Sequence, residues 1–498
     1  MKVFLVRGKS ARPINRFYPN LGIVSIASVI RNFCDVKIFD LGLSGNENFI
    51  QNVKKHKPDI IGFTTSIDDY GEVLNLASIC KRISPKLVII TGGPHSTLIG
   101  KNALNYRDVD ITVCGEGEET VIKLLKAIEK GEDFSKINGI IYREGEKIKK
   151  NERTRFYDLD KQPLPSWDLY NLKNFFPILP IETSRGCPYQ CPYCAEGWIN
   201  GVMVRQKSVK HVVKEIEYCK EFGVKHFRFA DSTFNFKKER LIELTRAFLD
   251  SNLEITWSAY ARFETIDEDS LKLAKESGCV SLYFGIESGD DQVLRNMRNS
   301  YNWEHIKHIQ KIAKKIGLHL HCNFIVGFPD ETELNVNNTL KVIKQVRPDS
   351  TFVSTFFVVP MTETHREANR YGIEFIDPNW VSNLHTFFKE PKFYFRHRTM
   401  TQKDMRKHVE RIRQEVERIG GIFWNLKDYP LLTWLSVGGK AEDLKKIWKD
   451  PGKHISKKEL KYFEAFKEKE IYEIEKDDER TSKIKDRITS LAKQKLNN

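Results

Sequence analysis

The amino-acid sequence predicts an α/β protein made of two successive units, a doubly wound parallel sheet followed by a partial barrel. Over the first 130 residues, short apolar runs of strand length alternate with helical patterns, which is typical of a doubly wound sheet. From residue 178 onward, strand and helix patterns repeat six times, which indicates a (β/α)6 partial barrel. A chain of 498 residues is also too long for a single hydrophobic core.

We divide the chain into four parts on this basis. They are the doubly wound unit at residues 1–135, a linker at 136–177, the partial barrel at 178–360, and a C-terminal lid and mainly helical region at 361–498. The linker is expected to be extended, because Pro163 and Pro165 interrupt a stretch that has no periodic apolar face. Residues 440–498 are dense in Lys and Glu, which predicts a solvated helix or a partly disordered tail.

In the first unit, the strand ends carry the most informative residues. The predicted strands are 2–6, 36–40, 59–64, 87–91 and 111–114, and the predicted helices are 22–32, 70–83 and 118–129. Doubly wound sheets bind their ligands at the carboxyl ends of the strands. The candidate binding residues there are acidic, hydroxyl-bearing or glycine, namely Asp40, Gly42, Gly45, Thr64, Ser66, Gly92 and Gly93.

The second unit is predicted to place polar residues at the same position of its strands. Its strands are predicted at 178–183, 226–230, 254–260, 280–285, 319–326 and 350–358, with helices at 208–222, 238–251, 267–277, 303–316 and 331–345. Barrel enzymes carry their active sites at the carboxyl ends of the strands. The candidate residues at these ends are Asp231, Arg262, Glu287, Ser288 and Gly327.

Three cysteines follow the first predicted barrel strand within eight residues, at Cys187, Cys191 and Cys194. Gly186 and the prolines between the cysteines exclude helix or strand there. Thiolates bind iron-sulfur clusters and zinc, and structural sites usually have four protein ligands. No fourth Cys or His lies nearby in the sequence, so one metal position stays open for a small molecule. A zinc knuckle lacking one ligand, or three structural thiols, are the alternatives.

The spacing Cys-x3-Cys-x2-Cys, with Tyr193 before the last cysteine, resembles the motif of the radical S-adenosylmethionine (SAM) enzymes. The resemblance implies a four-iron, four-sulfur cluster on Cys187, Cys191 and Cys194 as catalytic metal ligands. It implies that the open iron chelates SAM, and that reductive cleavage yields a 5'-deoxyadenosyl radical. It also implies an external electron donor such as flavodoxin or ferredoxin.

The strand-end residues of the barrel match those that this family uses for SAM. The resemblance implies that Arg262 pairs with the SAM carboxylate and that Glu287 and Ser288 accept hydrogen bonds from the amine or ribose. It implies that Gly289 and Gly327 make room for the nucleoside, and it adds Asp231 to the binding residues. The alternatives are an ion pair between Arg262 and Glu287 at the barrel rim, and a turn-capping role for Asp231.

The first unit resembles the Rossmann-like cobalamin-binding domain that precedes many radical SAM domains. The resemblance implies that residues 40–45 form a loop over the corrin, and that Thr64, Ser66, Gly92 and Gly93 contact the nucleotide tail. Gly42 stands where the axial histidine of that domain would be, so no side chain there can bind cobalt. His95 is a candidate replacement ligand. A sheet that has lost cobalamin and serves only as a substrate platform is the alternative.

The resemblance covers about residues 1–360 and implies a cobalamin-dependent radical SAM methyltransferase. It would transfer a methyl group to an unactivated carbon or a phosphinate of a small-molecule or peptide substrate. The alternatives are a radical SAM cyclase or ring-rearranging enzyme, and a non-catalytic cobalamin carrier. A further alternative is a methylthiotransferase acting on transfer RNA, with a second cluster on Cys34, Cys80 and Cys114.

The C-terminal region supplies candidate substrate contacts at Trp380, Tyr394 and Arg396, for which aromatic core packing is the alternative.

Composition sets further expectations. The net charge of +14 is spread along the chain without a basic run interleaved with aromatics, so we expect no nucleic-acid partner. No apolar run reaches about 18 residues, so we expect no membrane association. Six of the nine cysteines are scattered singly, which excludes a disulfide framework and favours the reducing cytoplasm.

Overall fold

A computed structural model describes residues 1–9, 18–153, 155, 158–170, 172, 178–387 and 394–424. The predicted α/β architecture, a doubly wound sheet followed by a partial barrel and helices, is confirmed. The predicted tail at residues 440–498 lies outside the described residues. The division into domains at residues 135, 177 and 360 stays a prediction.

The first sheet has seven strands in the order β2-β1-β3-β4-β5-β6-β7. They are β1 (Lys2–Arg7), β2 (Asp35–Asp40), β3 (Ile60–Thr64), β4 (Val88–Gly92), β5 (Ile111–Val113), β6 (Ile140–Glu144) and β7 (Lys147–Lys150). Strands β1 to β5 are parallel, and the hairpin of β6 and β7 adds two antiparallel strands at one edge. The chain order reverses at β1, which places a switch point beside β1 and β3, where doubly wound sheets bind ligands.

Five helices cover the first sheet, α1 (Leu21–Ile30), α2 (Leu41–His56), α3 (Tyr70–Ile83), α4 (Pro94–Ile99) and α5 (Glu118–Lys130). Helix α2 corrects the sequence analysis, which predicted a loop over residues 40–45. The Asp40 carboxylate accepts a hydrogen bond from the N–H of Gly42 at 3.0 Å and caps the helix at once. Gly45 then interrupts it with a positive φ of 71°.

The second sheet has seven parallel strands in the order β18-β15-β14-β13-β12-β11-β8. They are β8 (Ile178–Ile181), β11 (His226–Phe229), β12 (Thr256–Ala261), β13 (Cys279–Glu287), β14 (His319–Val326), β15 (Ser350–Thr355) and β18 (Ile422–Trp424). Between β8 and β11 lie a small antiparallel pair, β9 (Ser184–Arg185) and β10 (Arg205–Gln206), and the short helix α6 (Glu196–Ile199).

The helices of the barrel follow the predicted repeats. They are α7 (Val209–Lys220), α8 (Lys238–Asp250), α9 (Glu268–Glu276), α10 (Asp291–Asn296), α11 (Trp303–Ile316) and α12 (Glu333–Val346). The region that follows contains α13 (Glu363–Arg366), β16 (Glu374–Phe375), α14 (Trp380–Phe387), β17 (Phe395–Arg396) and α15 (Gln402–Arg418). Strand β18 was not predicted, because three apolar residues after two glycines carry no periodic pattern.

The segment between the two sheets is packed against them instead of being extended throughout. Two 3-10 turns, Leu159–Lys161 and Trp167–Leu169, shorten the part that contains the prolines. Trp167 is fully buried, and one hydrophobic cluster runs from β1 and α1 through Trp167 to the strands of the second sheet. The two units therefore share a core, which holds their strand ends in a fixed relation. Within the described residues, no helix combines the length and apolarity needed to cross a membrane.

Candidate functional site

The three cysteines lie on the loop that joins β9 to α6. Cys187 is buried, Cys191 is partly buried and Cys194 is exposed. The N–H of Cys187 donates to the carbonyl of Gly201 at 2.9 Å, which closes the loop at its base. Gly186 has a φ of +100°, and a side chain there would collide with the carbonyl oxygen of Met203. The backbone conformation of the loop therefore requires glycine immediately before the first cysteine.

The thiols fit a metal cluster by their chemistry, because thiolate is the usual ligand of iron-sulfur clusters and three free cysteines lie on one loop. Burial raises the pKa of Cys187 and of Cys191, so both are protonated at neutral pH until a metal displaces the proton. In the described part of the chain, no three His, Cys, Asp or Glu side chains converge on a point suited to one metal ion. A four-iron cluster makes a different demand, since each cysteine binds a separate iron.

Asp231 fixes the strand end from which the cysteine loop departs. It lies after β11, is 1% exposed, and accepts from the N–H of Thr183 at 2.7 Å and from the Ser184 hydroxyl at 2.8 Å. The Thr183 hydroxyl donates to the second carboxylate oxygen. Burial raises the pKa of Asp231, although these donors oppose the shift. The structure thus joins Asp231 to the chain leading into the cysteines.

Arg262, directly after β12, is brought to the cysteine loop through Asn299. Its Nη2 lies 3.1 Å from Asn299 Oδ1, and the same oxygen lies 4.0 Å from the sulfur of Cys191. The guanidinium stacks on the ring of Tyr189 at 4.0 Å, within the loop. The ion pair of Arg262 is with Glu264 at 2.5 Å, so the alternative of a rim pair with Glu287 is wrong. A cation is therefore held beside the predicted cluster.

Glu287 ends β13 with a positive φ of 68°, and its carboxylate folds back over Gly285. Burial raises the pKa of Glu287 to about 7, although the nearby charge of Arg262 and a hydrogen bond with Tyr193 oppose the shift. Tyr193 belongs to the cysteine loop, so Glu287, Arg262 and the cysteines form one group. Ser288 is instead fully buried and points to Thr339 of α12.

Space beside the two predicted nucleoside glycines is filled by protein. A side chain at Gly289 would meet the backbone of Thr339, and one at Gly327 would meet the Met405 side chain of α15. Both glycines allow helices to approach the strand ends closely, which sequence reasoning attributed to the nucleoside. Their part in binding SAM stays a prediction.

In the first unit, the Asp40 carboxylate is occupied by protein donors. Arg7 forms a buried ion pair with it at 3.0 Å, and the hydroxyl of Tyr170 donates to it at 2.5 Å. Gly42 and Gly45 lie in the first turns of α2, and a side chain at Gly45 would meet nothing within 4 Å. Asp40 thus anchors the segment between the two units to the end of β2.

The predicted tail-binding residues lie together at the ends of β3 and β4. Thr64 pairs with Gly92 in the parallel register. Gly93 has a φ of +91°, and a Cβ there would lie 2.9 Å from Thr64 Oγ1. The Ser66 hydroxyl donates to Asp68 at 2.8 Å. The structure brings these residues to one edge, as expected for a shared ligand.

At this edge, the side chain of His95 has the features expected of a residue that contacts a bound cofactor. His95 is the second residue of α4, is 1% exposed, and neither ring nitrogen has a hydrogen-bond partner among the described residues. Burial lowers the pKa of His95 to about 3, so the imidazole is neutral and both nitrogens are unmet polar groups. Its ring packs on Tyr70 at 4.5 Å.

Arg228 and the tyrosines around it were missed by the sequence analysis. Its guanidinium lies 5.6 Å from the ring of Tyr18 in the first unit, and 5.2 Å from the rings of Tyr260 and Tyr283 of the barrel. The sequence pattern of β11 could have identified Arg228, because His226 and Arg228 alternate with two fully buried phenylalanines. Polar residues at every second position mark the face of the strand that points into the barrel.

The remaining candidates lie away from this group. Trp380 and Tyr394 stack on each other at 4.8 Å inside an aromatic cluster, as the packing alternative predicted, and Arg396 is exposed on β17. Cys34, Cys80 and Cys114 belong to three different hydrophobic clusters. The structure therefore does not bring those cysteines together as ligands of a second metal cluster.

Two family models match the chain. The model of the radical SAM superfamily matches residues 181–343, and the model of the B12 binding domain matches residues 12–125. The first match contains the cysteines, Arg262 and Glu287, and the second contains the carboxyl ends of β2, β3, β4 and β5.

Individual relatives cover most of the chain. An uncharacterised methyltransferase of Pyrococcus horikoshii is 35% identical over 366 residues, which are 70% of this chain and 79% of the relative. An anaerobic magnesium-protoporphyrin IX monomethyl ester cyclase of Rubrivivax gelatinosus is 26% identical over 62% of this chain and 58% of its own. The structure of the radical SAM methyltransferase TsrM from Kitasatospora setae, with cobalamin and a [4Fe-4S] cluster bound, covers 84% of this chain and 88% of its own with a TM-score of 0.67. At 16% identity, that likeness shows a shared fold.

Proposed function

The chain belongs to the radical SAM enzymes that carry a B12-binding domain, and we propose that it transfers a methyl group to an unactivated carbon or a phosphinate. Its cofactors are a four-iron, four-sulfur cluster, SAM and cobalamin. When bound, they supply a 5'-deoxyadenosyl radical and a transferable methyl group. We propose a small molecule or peptide as the substrate and a flavodoxin or ferredoxin as the electron donor.

One observation carries the proposal. Helix α4, which begins at the carboxyl end of β4 in the first sheet, packs against α6, which follows the last cysteine of the loop. The edge that would hold cobalamin therefore adjoins the loop that would hold the iron-sulfur cluster. A methyl donor and a radical generator must both reach one substrate carbon, and this arrangement brings their two sites to one side of the barrel.

We assign the residues of the chain the following roles. The three cysteines hold the cluster and leave one iron open. Arg262 binds the SAM carboxylate in a bidentate manner, which requires it to exchange the carboxylate of Glu264 for that of SAM. Glu287 accepts a hydrogen bond from the SAM amine. No side chain need move a proton in this reaction, since the chemistry belongs to the cofactors.

The products formed from SAM test the proposal. The reconstituted protein, loaded with cobalamin, is incubated without oxygen with a strong reductant, methyl-labelled SAM and a small-molecule extract of its source cells. We expect the label in a product, together with equal amounts of S-adenosylhomocysteine and 5'-deoxyadenosine. Formation of 5'-deoxyadenosine alone would instead place the protein with the cyclases.

A further inference from the structure

A buried ionic cluster joins the first unit to the two ends of the cysteine loop. Arg185 on β9 and Arg205 on β10 lie directly opposite each other in antiparallel register, and the loop between them contains all three cysteines. Both arginines extend to the segment Gly115–Glu119 at the start of α5, which the cofactor assignments above leave without a role. The contact therefore connects the end of β5 in one sheet to the strand pair that carries the cluster loop in the other.

Two carboxylates of the first unit receive these arginines. Glu116 accepts from Arg185 Nη1 at 3.1 Å and from Arg205 Nη1 at 2.9 Å. Glu118 accepts from Arg185 Nη2 at 2.7 Å. A third carboxylate, that of Glu182, accepts from Arg185 Nε at 2.7 Å, so every side of the Arg185 guanidinium is fixed. We call Glu116, Glu118, Arg185 and Arg205 the clamp.

The clamp is buried, and its burial determines whether the ion pairs contribute to stability or to geometry. Its four side chains are between 5% and 9% exposed. Buried ion pairs contribute little net stability, because the cost of removing the charges from water offsets their attraction. They do define geometry closely, since a guanidinium held by several carboxylates has one allowed position. The clamp therefore fixes where the loop lies more than it stabilises the fold.

The position of Arg185 is transmitted to the first cluster ligand through one residue. Gly186, with its φ of +100°, separates Arg185 from Cys187, and the Cys187 N–H is held by Gly201. The other side of the loop is held in the same way from the segment after β7, where Arg153 donates to the carbonyl of Trp198. The cysteine loop is thus held at two places, by the clamp at its base and by Arg153 at Trp198.

We propose that the clamp is a positioning device that sets the cluster loop at a fixed distance from the cobalamin edge, and that Glu116 is its central residue. The clamp acts through Cys187 and touches neither cofactor. The proposal rests on the proposed function, because a fixed distance matters only if two cofactors serve one reaction. Loosening the clamp should leave each cofactor bound while separating radical formation from methyl transfer.

The test compares Glu116→Gln with Glu119→Gln, a control on the exposed face of α5 whose carboxylate pairs only weakly with Lys123 at 4.0 Å. Amide hydrogen exchange of residues 187–204 is measured in the cofactor-free and the loaded protein. We expect exchange to be at least about tenfold faster in Glu116→Gln and unchanged in Glu119→Gln, since a charge-assisted contact is lost. Equal exchange in both variants would overturn the proposal.

A second measurement separates positioning from binding. Both variants should keep wild-type iron and cobalamin content, while Glu116→Gln forms at least about ten times more 5'-deoxyadenosine per S-adenosylhomocysteine. An unchanged ratio would overturn the clamp, as would loss of iron or cobalamin. If Glu116→Gln does not accumulate, Glu116→Gln/Arg205→Gln removes one charge of each sign and faces the same criteria. A wild-type protein that forms no S-adenosylhomocysteine would refute the proposed function instead, and the exchange result would still decide the clamp.

Discussion

Single side chains show which parts of the site can be predicted from sequence. The cysteines and Arg262 were chosen for their chemical type, and the structure joins Arg262 to Cys191 through Asn299. Asp40 was chosen in the same way, yet Arg7 and Tyr170 occupy its carboxylate. The type of a residue is visible in the sequence. Its partner, 130 positions away in the case of Tyr170, depends on how distant elements pack.

Replacing Arg262 should weaken SAM binding. Arg262→Ala removes a charge-assisted bidentate contact, which is worth about 1.5–3 kcal/mol, so we expect the Kd for SAM to rise by about 10- to 150-fold. The Kd of Arg262→Lys for SAM should lie between those of wild type and Arg262→Ala, because an ammonium cannot make the same bidentate contact. Equilibrium binding of SAM to the reconstituted protein measures this, with Glu264→Gln as the control that keeps the cation. Equal affinities of Arg262→Ala and wild type would remove Arg262 from the site.

Gly93→Ala should be destabilising and should impair cobalamin binding. The substitution forces a non-glycine residue to a φ of +91° and places a Cβ 2.9 Å from Thr64 Oγ1. We expect a loss of about 1–3 kcal/mol in the free energy of unfolding. Gly45→Ala is a matched control, because its φ is +71° and a side chain there meets nothing within 4 Å. Denaturant unfolding should show a smaller loss for the control, and equal losses would refute the steric argument.

Whole elements were predicted best where their pattern is long. The predicted helix at 70–83 coincides with α3, whereas the predicted loop at 40–45 is the start of α2. The helix begins there with a capped end, since the Asp40 carboxylate accepts a hydrogen bond from the N–H of Gly42. Strand β18 was not predicted for another reason. It depends on its pairing with β15 and not on the pattern of its own three residues.

The turn after β14 should make stability depend on pH through Glu331. Glu331 is 1% exposed and accepts from the N–H of Gly327 at 2.5 Å. Burial raises the pKa of Glu331 to about 8, although these backbone donors oppose the shift. The folded-state pKa lies above the unfolded value of about 4.3. Its stabilising contribution is therefore complete below about pH 4 and is lost as the pH rises through about 8.

Glu331→Gln removes this titration. We expect the variant to gain stability relative to wild type by at least about 1.4 kcal/mol, the free energy of one pKa unit, between about pH 5 and about pH 8. Denaturant unfolding of both proteins at the two pH values measures the change. The same difference at both values would show that the pKa of Glu331 is not raised in the folded protein.

At the scale of the whole molecule, the way in which the two units pack against each other could not be predicted from the sequence. Their order could be predicted from periodic patterns, because each pattern is local. The buried contacts between them, such as Arg185 with Glu116, join residues 69 positions apart and carry no periodic signal. The prolines suggested an extended segment between the units, and burial of Trp167 by tertiary contacts prevailed over that local preference.

Trp167→Ala should destabilise both units at once. Trp167 is fully buried in the hydrophobic cluster that the two sheets share, and such a truncation costs about 3–5 kcal/mol. We expect a single unfolding transition at lower denaturant concentration, monitored by far-UV circular dichroism. Two separated transitions, one at the wild-type position, would show that the units do not share a core.

The metal and cobalamin content of the reconstituted protein tests the central claim most directly. Anaerobic reconstitution with iron, sulfide and cobalamin should give about four iron atoms and one cobalamin per chain, with the absorption bands of both cofactors. The variant with alanine at Cys187, Cys191 and Cys194 should lose the iron and keep the cobalamin. Unchanged iron in that variant, or about eight iron atoms in the wild type, would contradict the account.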